Sequence, residues 1–477
     1  MKQKIGLNKI YIFLSFIVIL NNAFSQSKNG YNISGILKGY KDTICFLGYH
    51  YGDKQYIKDT TRIDSKGQFV FKGSEKLDGG IYLIVSPEKR YFEIIVPSDN
   101  QNISFETDSL DFVMKMKIKN SPENEIFYQY LQYINPLAKE VEKLKAELES
   151  VKDDSIKSKP IKERIAAIDK AVVDYKKDVI AKHPKTFVAS MFRAMQEIEV
   201  PEPPVKPDGT IDSTFKYFYY KEHFFDNIDF SDDKIIRSPI YHAKLKQFFE
   251  NVVVQIPDSI NKEADKLIAK ARANKEIFKY TVWFITNTFE RSKIMGMDAV
   301  FVHMGKNYYM KGEAFWVDST TLAKITERVQ KTEPNLIGKI APELRLKDSL
   351  MRDVYLSKIK ADYTIIYFFA PSCGHCKKVT PVMMEVYKKV KPKNVEVLAV
   401  CTEYDWEDWK KYLQEIKSEW INTIDITNTS NFRNNYDIYS TPVIYLLDKD
   451  KKIIAKRIGA EQIEEIIDKD IERRKKS

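Results

Sequence analysis

The stretch FFAPSCGHCKKVTP, Phe368–Pro381, places two cysteines three positions apart between contrasting neighbours. The residues before Cys373 are apolar, as in a buried strand, whereas the residues after Cys376 are basic and patterned as a helix. Such a pair can be a redox-active dithiol, one half of a metal site or a structural disulfide.

A dithiol at the junction of a strand and a helix is suited to thiol–disulfide exchange. The first N–H groups of a helix have no partner inside the helix, and the helix dipole places partial positive charge there. A thiolate at Cys373 would be stabilised, which lowers the pKa of that thiol and makes Cys373 the nucleophile. Cys376 lies one turn further on and would resolve a mixed disulfide with a client. A charged His375, together with Lys377 and Lys378, would favour the thiolate further and make the oxidised pair a stronger oxidant.

The other uses of a cysteine pair fit this sequence less well. Zinc needs two more ligands, and the chain has neither a second C-x-x-C nor a close pair of histidines. A structural disulfide would constrain the unfolded chain little, because the loop it closes is very short. A peroxide-reducing thiol would use one nucleophilic cysteine rather than a tight pair. The sequence therefore favours a redox dithiol with no metal and no prosthetic group.

The segments around the dithiol alternate between strand and helix patterns. Apolar runs at 364–370 and 395–400 read as buried strands, and the run at 377–390 between them reads as a helix. Beyond them the sequence predicts a helix at 406–416, strands at 443–447 and 452–457, and a closing helix at 461–471. This alternation predicts an α/β domain over residues 334–477.

That segment resembles the thioredoxin-like domain of the TlpA/ResA-like thiol-disulfide oxidoreductases. The shared stretches are IGKIAPELRLKD, YFFAPSCGHCKKVTP, YSTPVIYLLDKDKKI and Gly459. The resemblance implies a cis peptide bond before Pro442, which leaves the backbone of Thr441 free to pair with an extended client segment. It also makes Gly374 and His375 the spacer of the redox pair. The preceding regions are similar to those of exported proteins from Bacteroidetes-type bacteria.

The sequence departs from these relatives at positions close to the dithiol. Ser372 stands where many members have Trp, and Tyr367 stands where thioredoxin has a buried acid that assists proton transfer. Val379 occupies a position that is acidic in some ResA-like proteins. Proton transfer at Cys376 is therefore left to water, to His375 or to an unidentified group.

The N-terminus predicts export. Residues 1–25 contain three lysines, a largely apolar run and then small residues, which is the order of a cleaved signal peptide. Removing Lys2, Lys4 and Lys9 takes three positive charges from the net charge of +10 and leaves +7. This charge is interleaved with acids, so nucleic-acid binding is not expected. The mature protein is expected in the periplasm.

The two regions before the α/β domain have different periodicities. Residues 26–120 contain short alternating strands separated by turns and predict an all-β, sandwich-like domain. Residues 121–333 predict a helical domain that begins with a helical hairpin whose polar linker is 152–160. Further helices are predicted at 238–254, 261–289 and 319–331. The fold class is thus multidomain, with no assigned role for the first two domains.

The sequence predicts an exported thiol:disulfide oxidoreductase. What the family implies first is reduction of client-protein disulfides, as in cytochrome c maturation or general redox homeostasis, with electrons from a membrane or periplasmic donor protein. Oxidation or isomerisation of disulfides is an alternative, because Gly-His spacers also occur in disulfide isomerases. A binding or scaffold protein with an accessory redox domain is another. The sequence leaves the oligomeric state open. The other cysteines, Cys45 and Cys401, are expected to be buried core thiols.

Overall fold

The computed structural model describes residues 30–205 and 207–476. The expected signal peptide, residues 1–25, lies outside the described residues. The chain divides into two compact units. The first contains the chain up to Tyr49 and Tyr56–Tyr175, and the second contains His50–Gln55 and the chain from Lys176 onward. The domain boundaries expected at residues 120 and 333 stay predictions.

The first unit is built on two four-stranded sheets. Its strands are β1 (Tyr31–Lys38), β2 (Thr43–Tyr51), β3 (Lys54–Ile63), β4 (Gln68–Gly73), β5 (Gly80–Val85), β6 (Tyr91–Val96), β7 (Asn102–Asp108) and β8 (Lys117–Lys119). One sheet has the order β4-β1-β7-β8 and the other the order β3-β2-β5-β6. The pairing of β1 with β7 is parallel, whereas β1 pairs with β4 in the antiparallel sense.

Alternation of burial along β1 shows why these segments form strands with one apolar face. Ile33 and Leu37 are fully buried, whereas Ser34 and Ile36 on the opposite face are half-buried. Gly35 lies on the buried face, where a Cβ would come within 2.8 Å of the rings of Phe69 and Phe105. The β-rich sequence therefore folds as expected, with a glycine where two aromatic rings approach the backbone.

Two long helices follow the strands, α1 (Pro122–Ser150) and α2 (Ser155–Lys182). The first of them covers the edge of β6 through Asn124, which is completely buried. The Asn124 amide donates to the Ile95 carbonyl (2.7 Å), and its oxygen accepts from the Ile95 N–H (2.8 Å). Asn124 thus satisfies both backbone groups of a strand residue that would otherwise lack partners.

The two helices form the predicted hairpin, with rings of Tyr133 and Tyr175 stacked at 4.5 Å between centroids. The linker is shorter than expected, because α2 begins at Ser155 and includes Pro160. Pro160 is the sixth residue of α2, two positions beyond Ser158, whose N–H already donates to the Asp154 carbonyl (2.9 Å), so it removes one intrahelical hydrogen bond without ending the helix. Pro160 was therefore a misleading end point for the linker.

The second unit begins with helices. They are α3 (Phe187–Ala194), α4 (Phe215–His223), α5 (Pro239–Gln247), α6 (Pro257–Ala271), α7 (Lys275–Glu290), α8 (Asp298–Met304) and α9 (Ser319–Thr332). The predicted helical stretch 261–289 is two helices, because Asn274 interrupts it. The Asn274 side chain accepts from the N–H groups of Glu276 (2.8 Å) and Ile277 (3.3 Å) and so begins α7 as its N-cap.

The C-terminal part of the second unit is a seven-stranded mixed sheet with helices. Its elements are β9 (Arg345–Lys347), β10 (Asp353–Tyr355), β11 (Tyr363–Phe369), α10 (Gly374–Val390), β12 (Val395–Cys401), α11 (Trp406–Ile416), β13 (Ile421–Ile424), α12 (Phe432–Asn435), β14 (Val443–Asp448), β15 (Ile453–Lys456) and α13 (Ile463–Lys476). The sheet order is β10-β9-β13-β12-β11-β14-β15. Strand β11 pairs in parallel with β12 and antiparallel with β14.

Strand β11 is buried on both faces, which explains its continuous apolar sequence. Tyr367 and Phe369 face one core cluster together with residues of α10 and α11. Phe368, between them, faces the opposite cluster with Phe432 and Tyr436. Two adjacent phenylalanines therefore anchor both layers of the domain immediately before the dithiol.

The fold class predicted from the sequence is confirmed: N-terminal β-strands, a central helical region and a C-terminal mixed sheet. Within the part of the chain that the structure describes, no helix combines the length and apolar character needed to cross a bilayer.

Candidate active site

The dithiol lies where β11 ends and α10 begins. Cys373 is the N-cap residue of α10, and its sulfur accepts a hydrogen bond from the backbone N–H of Cys376 (3.2 Å). The Cys373 N–H in turn donates to the carbonyl of Ala370 (3.1 Å), which closes the turn after the strand. The Cys373 sulfur thus takes the place of a capping oxygen at the positive end of a helix.

The two thiols differ in exposure. Cys373 is half-buried, so a partner molecule can reach its sulfur, whereas Cys376 is completely buried on the inner face of α10. The intervening Gly374 and His375 are exposed. A Cβ on Gly374 would meet no atom within 4 Å, so packing does not require glycine at that position.

The surroundings of Cys373 favour its thiolate. Partial burial acts to raise the pKa of Cys373, but hydrogen bonds from the Cys376 thiol, the Thr441 side chain and the N–H groups of Cys376 and His375 outweigh it. The pKa of Cys373 therefore lies below its ordinary value. This direction agrees with the expectation from the helix N-terminus.

The surroundings of Cys376 have the opposite effect. Burial, followed by the hydrogen bond with Cys373, raises the pKa of Cys376 to about 11. Of the two thiols, Cys373 therefore ionises more readily, while Cys376 retains its proton at neutral pH.

The loop before β14 completes the site. The Thr441–Pro442 peptide bond is cis, as the resemblance implied, and the Cys373 thiol donates to the Thr441 carbonyl (3.4 Å). Thr441 and Pro442 are both half-buried. The contact between Cys373 and Thr441 brings all six of the expected site residues to one place. Their catalytic roles stay predictions.

Sequence reasoning missed the residues that hold this loop. Asp437, four positions before Thr441, is buried and accepts two hydrogen bonds from Arg328 of α9 (2.6 and 2.7 Å). Arg457 also donates to the Asp437 carboxylate (2.9 Å). Arg328 lies 109 positions before Asp437 on a helix whose pattern reads only as amphipathic, so nothing local in the sequence pointed to the pair.

The positions at which the sequence departs from its relatives have identifiable partners. Ser372 donates from its hydroxyl and, at 3.4 Å, from its N–H to the carboxylate of Glu403. The buried hydroxyl of Tyr367 lies 2.9 Å from that of Thr380, and Val379 packs against the same core cluster. The chain therefore has no carboxyl group at either of the two positions where relatives have one.

The remaining cysteines are buried free thiols, as expected. Burial raises the pKa of Cys45 and of Cys401 to about 12 in each case. Among the described residues, no group of three or more His, Cys, Asp or Glu side chains is arranged to hold a metal ion.

Iodoacetamide is expected to label Cys373 alone in the folded, reduced protein. Because the pKa of Cys373 is lowered, its thiolate persists to a lower pH than the thiolate of free cysteine, whose pKa is about 8.5. Labelling of Cys373 should therefore persist to a lower pH as well. Cys45, Cys376 and Cys401 are buried with raised pKa values and should stay unlabelled. Peptide mapping by mass spectrometry against pH measures this, and denatured protein, labelled at all four cysteines, is the control. Labelling of Cys373 no faster than free cysteine would contradict the expectation.

Comparisons with known proteins agree with this geometry. Residues 361–453 match the family described as thioredoxin-like. Residues 31–127 and 165–335 match two domains of unknown function, DUF4369 and DUF5106. The thioredoxin-like match includes β11, the dithiol and α10.

Several relatives are named for thiol-disulfide chemistry. The chain is 28% identical over 130 residues to the thiol-disulfide oxidoreductase ResA of Bacillus cereus, covering 27% of this chain and 74% of that protein. It is 29% identical over 142 residues to ResA of Bacillus thuringiensis, covering 29% and 81%. The solved domain of a possible thiol-disulfide isomerase from Cytophaga hutchinsonii is 38% identical and covers 30% of this chain and 97% of that one, with a TM-score of 0.29.

The thioredoxin-like match, the ResA relatives and the dithiol between β11 and α10 indicate the same class of protein. Relatives and geometry agree on one chemistry, thiol–disulfide exchange. The C-terminal region of the chain is thioredoxin-like and is similar to the TlpA/ResA-like thiol-disulfide oxidoreductases.

Proposed function

We propose that Cys373 and Cys376 are the redox pair of an exported enzyme that reduces disulfides in client proteins. The observation that carries this proposal is the asymmetry of the two thiols. Cys373 is reachable, caps a helix and has a lowered pKa, whereas Cys376 is buried one turn away with a raised pKa. An attacking thiol and a resolving thiol need these different properties.

The proposed exchange has two steps, and each step forms one S–S bond and breaks another. The Cys373 thiolate attacks one sulfur of the client disulfide, forms a mixed disulfide and releases the other client sulfur as a thiolate. Cys376 then loses its proton and attacks Cys373, which forms the intramolecular disulfide and releases the second client sulfur. Two electrons pass from the enzyme to the client.

The Thr441–Pro442 loop would orient the client. The Thr441 backbone lies within hydrogen-bond distance of the Cys373 sulfur, so an extended client segment paired with it would present its own sulfur to Cys373. Gly374 and His375 are exposed on the same turn and would face the client as well.

The reduction potential of the purified protein tests the direction of electron flow. We expect a value near that of thioredoxin, about −270 mV, because reduction of clients requires a strongly reducing pair. A value of about −180 mV or higher would overturn client reduction and favour an oxidase or isomerase. Equilibration with dithiothreitol or glutathione buffers, followed by alkylation and mass spectrometry, gives the potential, and the Cys376→Ser variant is the control that cannot form the disulfide.

One observation favours the oxidase or isomerase alternative. The hydrogen bonds that lower the pKa of Cys373 stabilise the reduced form of the pair, and a stabilised reduced form makes the disulfide more oxidising. The relative from Cytophaga hutchinsonii is also named for isomerase chemistry. The measured potential separates these alternatives.

The proposal places the protein in the periplasm, where oxidised clients occur. The signal-peptide pattern of residues 1–25 supports this placement. Electrons would come from a membrane or periplasmic donor protein that reduces the Cys373–Cys376 disulfide after each cycle. The compartment of the proteins that the Cys376→Ser variant captures from cells tests the location.

A further inference from the structure

Resolution of the mixed disulfide requires a route for one proton. Cys376 is fully buried, and its raised pKa means that the thiol is protonated when the mixed disulfide forms. Only the thiolate attacks, so the proton must leave the core as the new S–S bond forms. The carboxyl groups that relatives have near this point are replaced by Tyr367 and Val379.

Neither nearby ionisable side chain is placed to take this proton. The side chain of His375 is exposed, whereas Cys376 points into the core. The Glu403 carboxylate accepts hydrogen bonds from the hydroxyl and the N–H of Ser372.

A chain of three buried hydroxyls lies in the same core cluster as Cys376. The hydroxyl of Tyr367 is 2.9 Å from that of Thr380, which is 2.8 Å from that of Tyr412. Thr380 is four residues after Cys376 on α10, so both lie on the same inner face of the helix. The three residues come from three different elements, β11, α10 and α11, that meet beneath the dithiol.

The three hydroxyls have one more hydrogen than the hydrogen bonds between them use. Three hydroxyls carry three hydrogens, and two hydrogen bonds join them, so one O–H remains free to donate. No other hydrogen bond is made by these hydroxyls within the described residues. To carry a proton away from Cys376, the Cys376 thiol must donate to one hydroxyl of the series, and the spare O–H must point toward water at the other end.

Electrostatics link the hydroxyls to the dithiol. Burial is the main reason that the pKa of Tyr367 and that of Tyr412 are raised, and negative charge on Cys376 and on Cys373 raises both further. Both tyrosines are therefore neutral hydroxyls at physiological pH. Such hydroxyls pass a proton on by accepting one as they release another.

We propose that the hydroxyls of Tyr367, Thr380 and Tyr412 form the path along which Cys376 gives up its proton during resolution, a role that rests on the proposed function of the dithiol. The sulfur–hydrogen bond of Cys376 breaks as its bond to Cys373 forms, and the electron pair of the old disulfide leaves with the client sulfur. One proton enters the hydroxyl chain and one leaves it for water at Tyr412, the most exposed of the three at 6%. These are positioning residues that act through Cys376.

A disulfide reagent with a coloured thiolate product, such as 5,5′-dithiobis(2-nitrobenzoate), separates the two steps. Mixed with an equimolar amount of reduced protein in a stopped-flow instrument, it releases one coloured thiolate when Cys373 attacks and a second when Cys376 resolves. We expect Tyr367→Phe and Thr380→Val to slow the second release roughly 10-fold or more, as for loss of proton transfer by a positioned group, and to leave the first release unchanged.

Two matched variants test whether the hydroxyl itself matters. Thr380→Ser keeps the hydroxyl and should keep a fast second release. Tyr387 lies in the same core, and its hydroxyl donates to Glu396 (3.0 Å) rather than to Tyr367, Thr380 or Tyr412. Tyr387→Phe should therefore change neither release.

The outcomes separate this inference from the proposed function. A second release that is unchanged in Tyr367→Phe and Thr380→Val, or that is equally slow in Thr380→Ser, would overturn the proton path while Cys373 still attacks. Absence of the first release in the unaltered protein would overturn the proposed function, and the proton path with it. Circular dichroism checks that each variant is folded, because the thiols of an unfolded protein would also release coloured thiolate.

Discussion

Cells that produce the Cys376→Ser variant should accumulate covalent adducts between Cys373 and client proteins. The serine hydroxyl does not attack a disulfide, so a mixed disulfide at Cys373 can be released only by a thiol from solution. Intramolecular attack has an effective concentration far above that of any free thiol, and adduct lifetimes should therefore increase about 1,000-fold or more. Non-reducing electrophoresis detects the adducts, which reductant dissolves, and mass spectrometry names the clients.

The double variant Cys373→Ser/Cys376→Ser is the matched control and should form no adducts. Adducts that persist in this control would involve Cys45 or Cys401, which are buried, and would contradict the role given to Cys373. Clients that are themselves exported would support the periplasmic location. Absence of adducts together with absence of activity on any disulfide would favour the scaffold alternative.

Phe368→Ala should unfold or nearly unfold the C-terminal domain. Phe368 is completely buried, and its ring lies 5.6 Å from that of Phe432 and 5.2 Å from that of Tyr436. Replacing such a ring by a methyl group typically costs about 3–5 kcal/mol, because the apolar contacts are lost and a cavity remains. A domain whose total stability is about 5–15 kcal/mol retains little after that loss.

Thermal unfolding followed by tryptophan fluorescence measures the effect, since Trp406, Trp409 and Trp420 report on this domain. Leu350→Ala, at a site that is 69% exposed in the turn between β9 and β10, is the control and should change the stability by less than about 0.5 kcal/mol. Equal effects of the two substitutions would show that Phe368 is not part of a well-packed core.

The dithiol and its immediate frame could be predicted because they depend on local pattern. The apolar run before Cys373 gives β11, and the helix after it begins where the Cys373 sulfur can accept from a backbone N–H. The predicted bounds 406–416 coincide with α11 for the same reason: an acidic cap residue, Asp405, and a helical period are readable without the fold.

The supporting contacts could not be predicted, because they join residues that are far apart in the chain. Tyr367 meets Thr380 and Tyr412 only after β11, α10 and α11 have packed together. Each residue alone reads as an ordinary core position, and hydrogen-bond geometry leaves no periodic signal in sequence. Asn274 was missed for a different reason, since one polar residue in an apolar helical pattern is outweighed by its neighbours.

The Arg328–Asp437 ion pair has a consequence for any attempt to move the redox domain into another protein. A transplanted fragment that starts at residue 334, where sequence alone would divide the chain, leaves Arg328 behind and retains only Arg457 beside the Asp437 carboxylate. The turn that leads to Thr441 would then lose the two hydrogen bonds that the Arg328 guanidinium donates to Asp437. A graft that begins ahead of α9, before Asp318, carries that support with it and is the better unit for swapping.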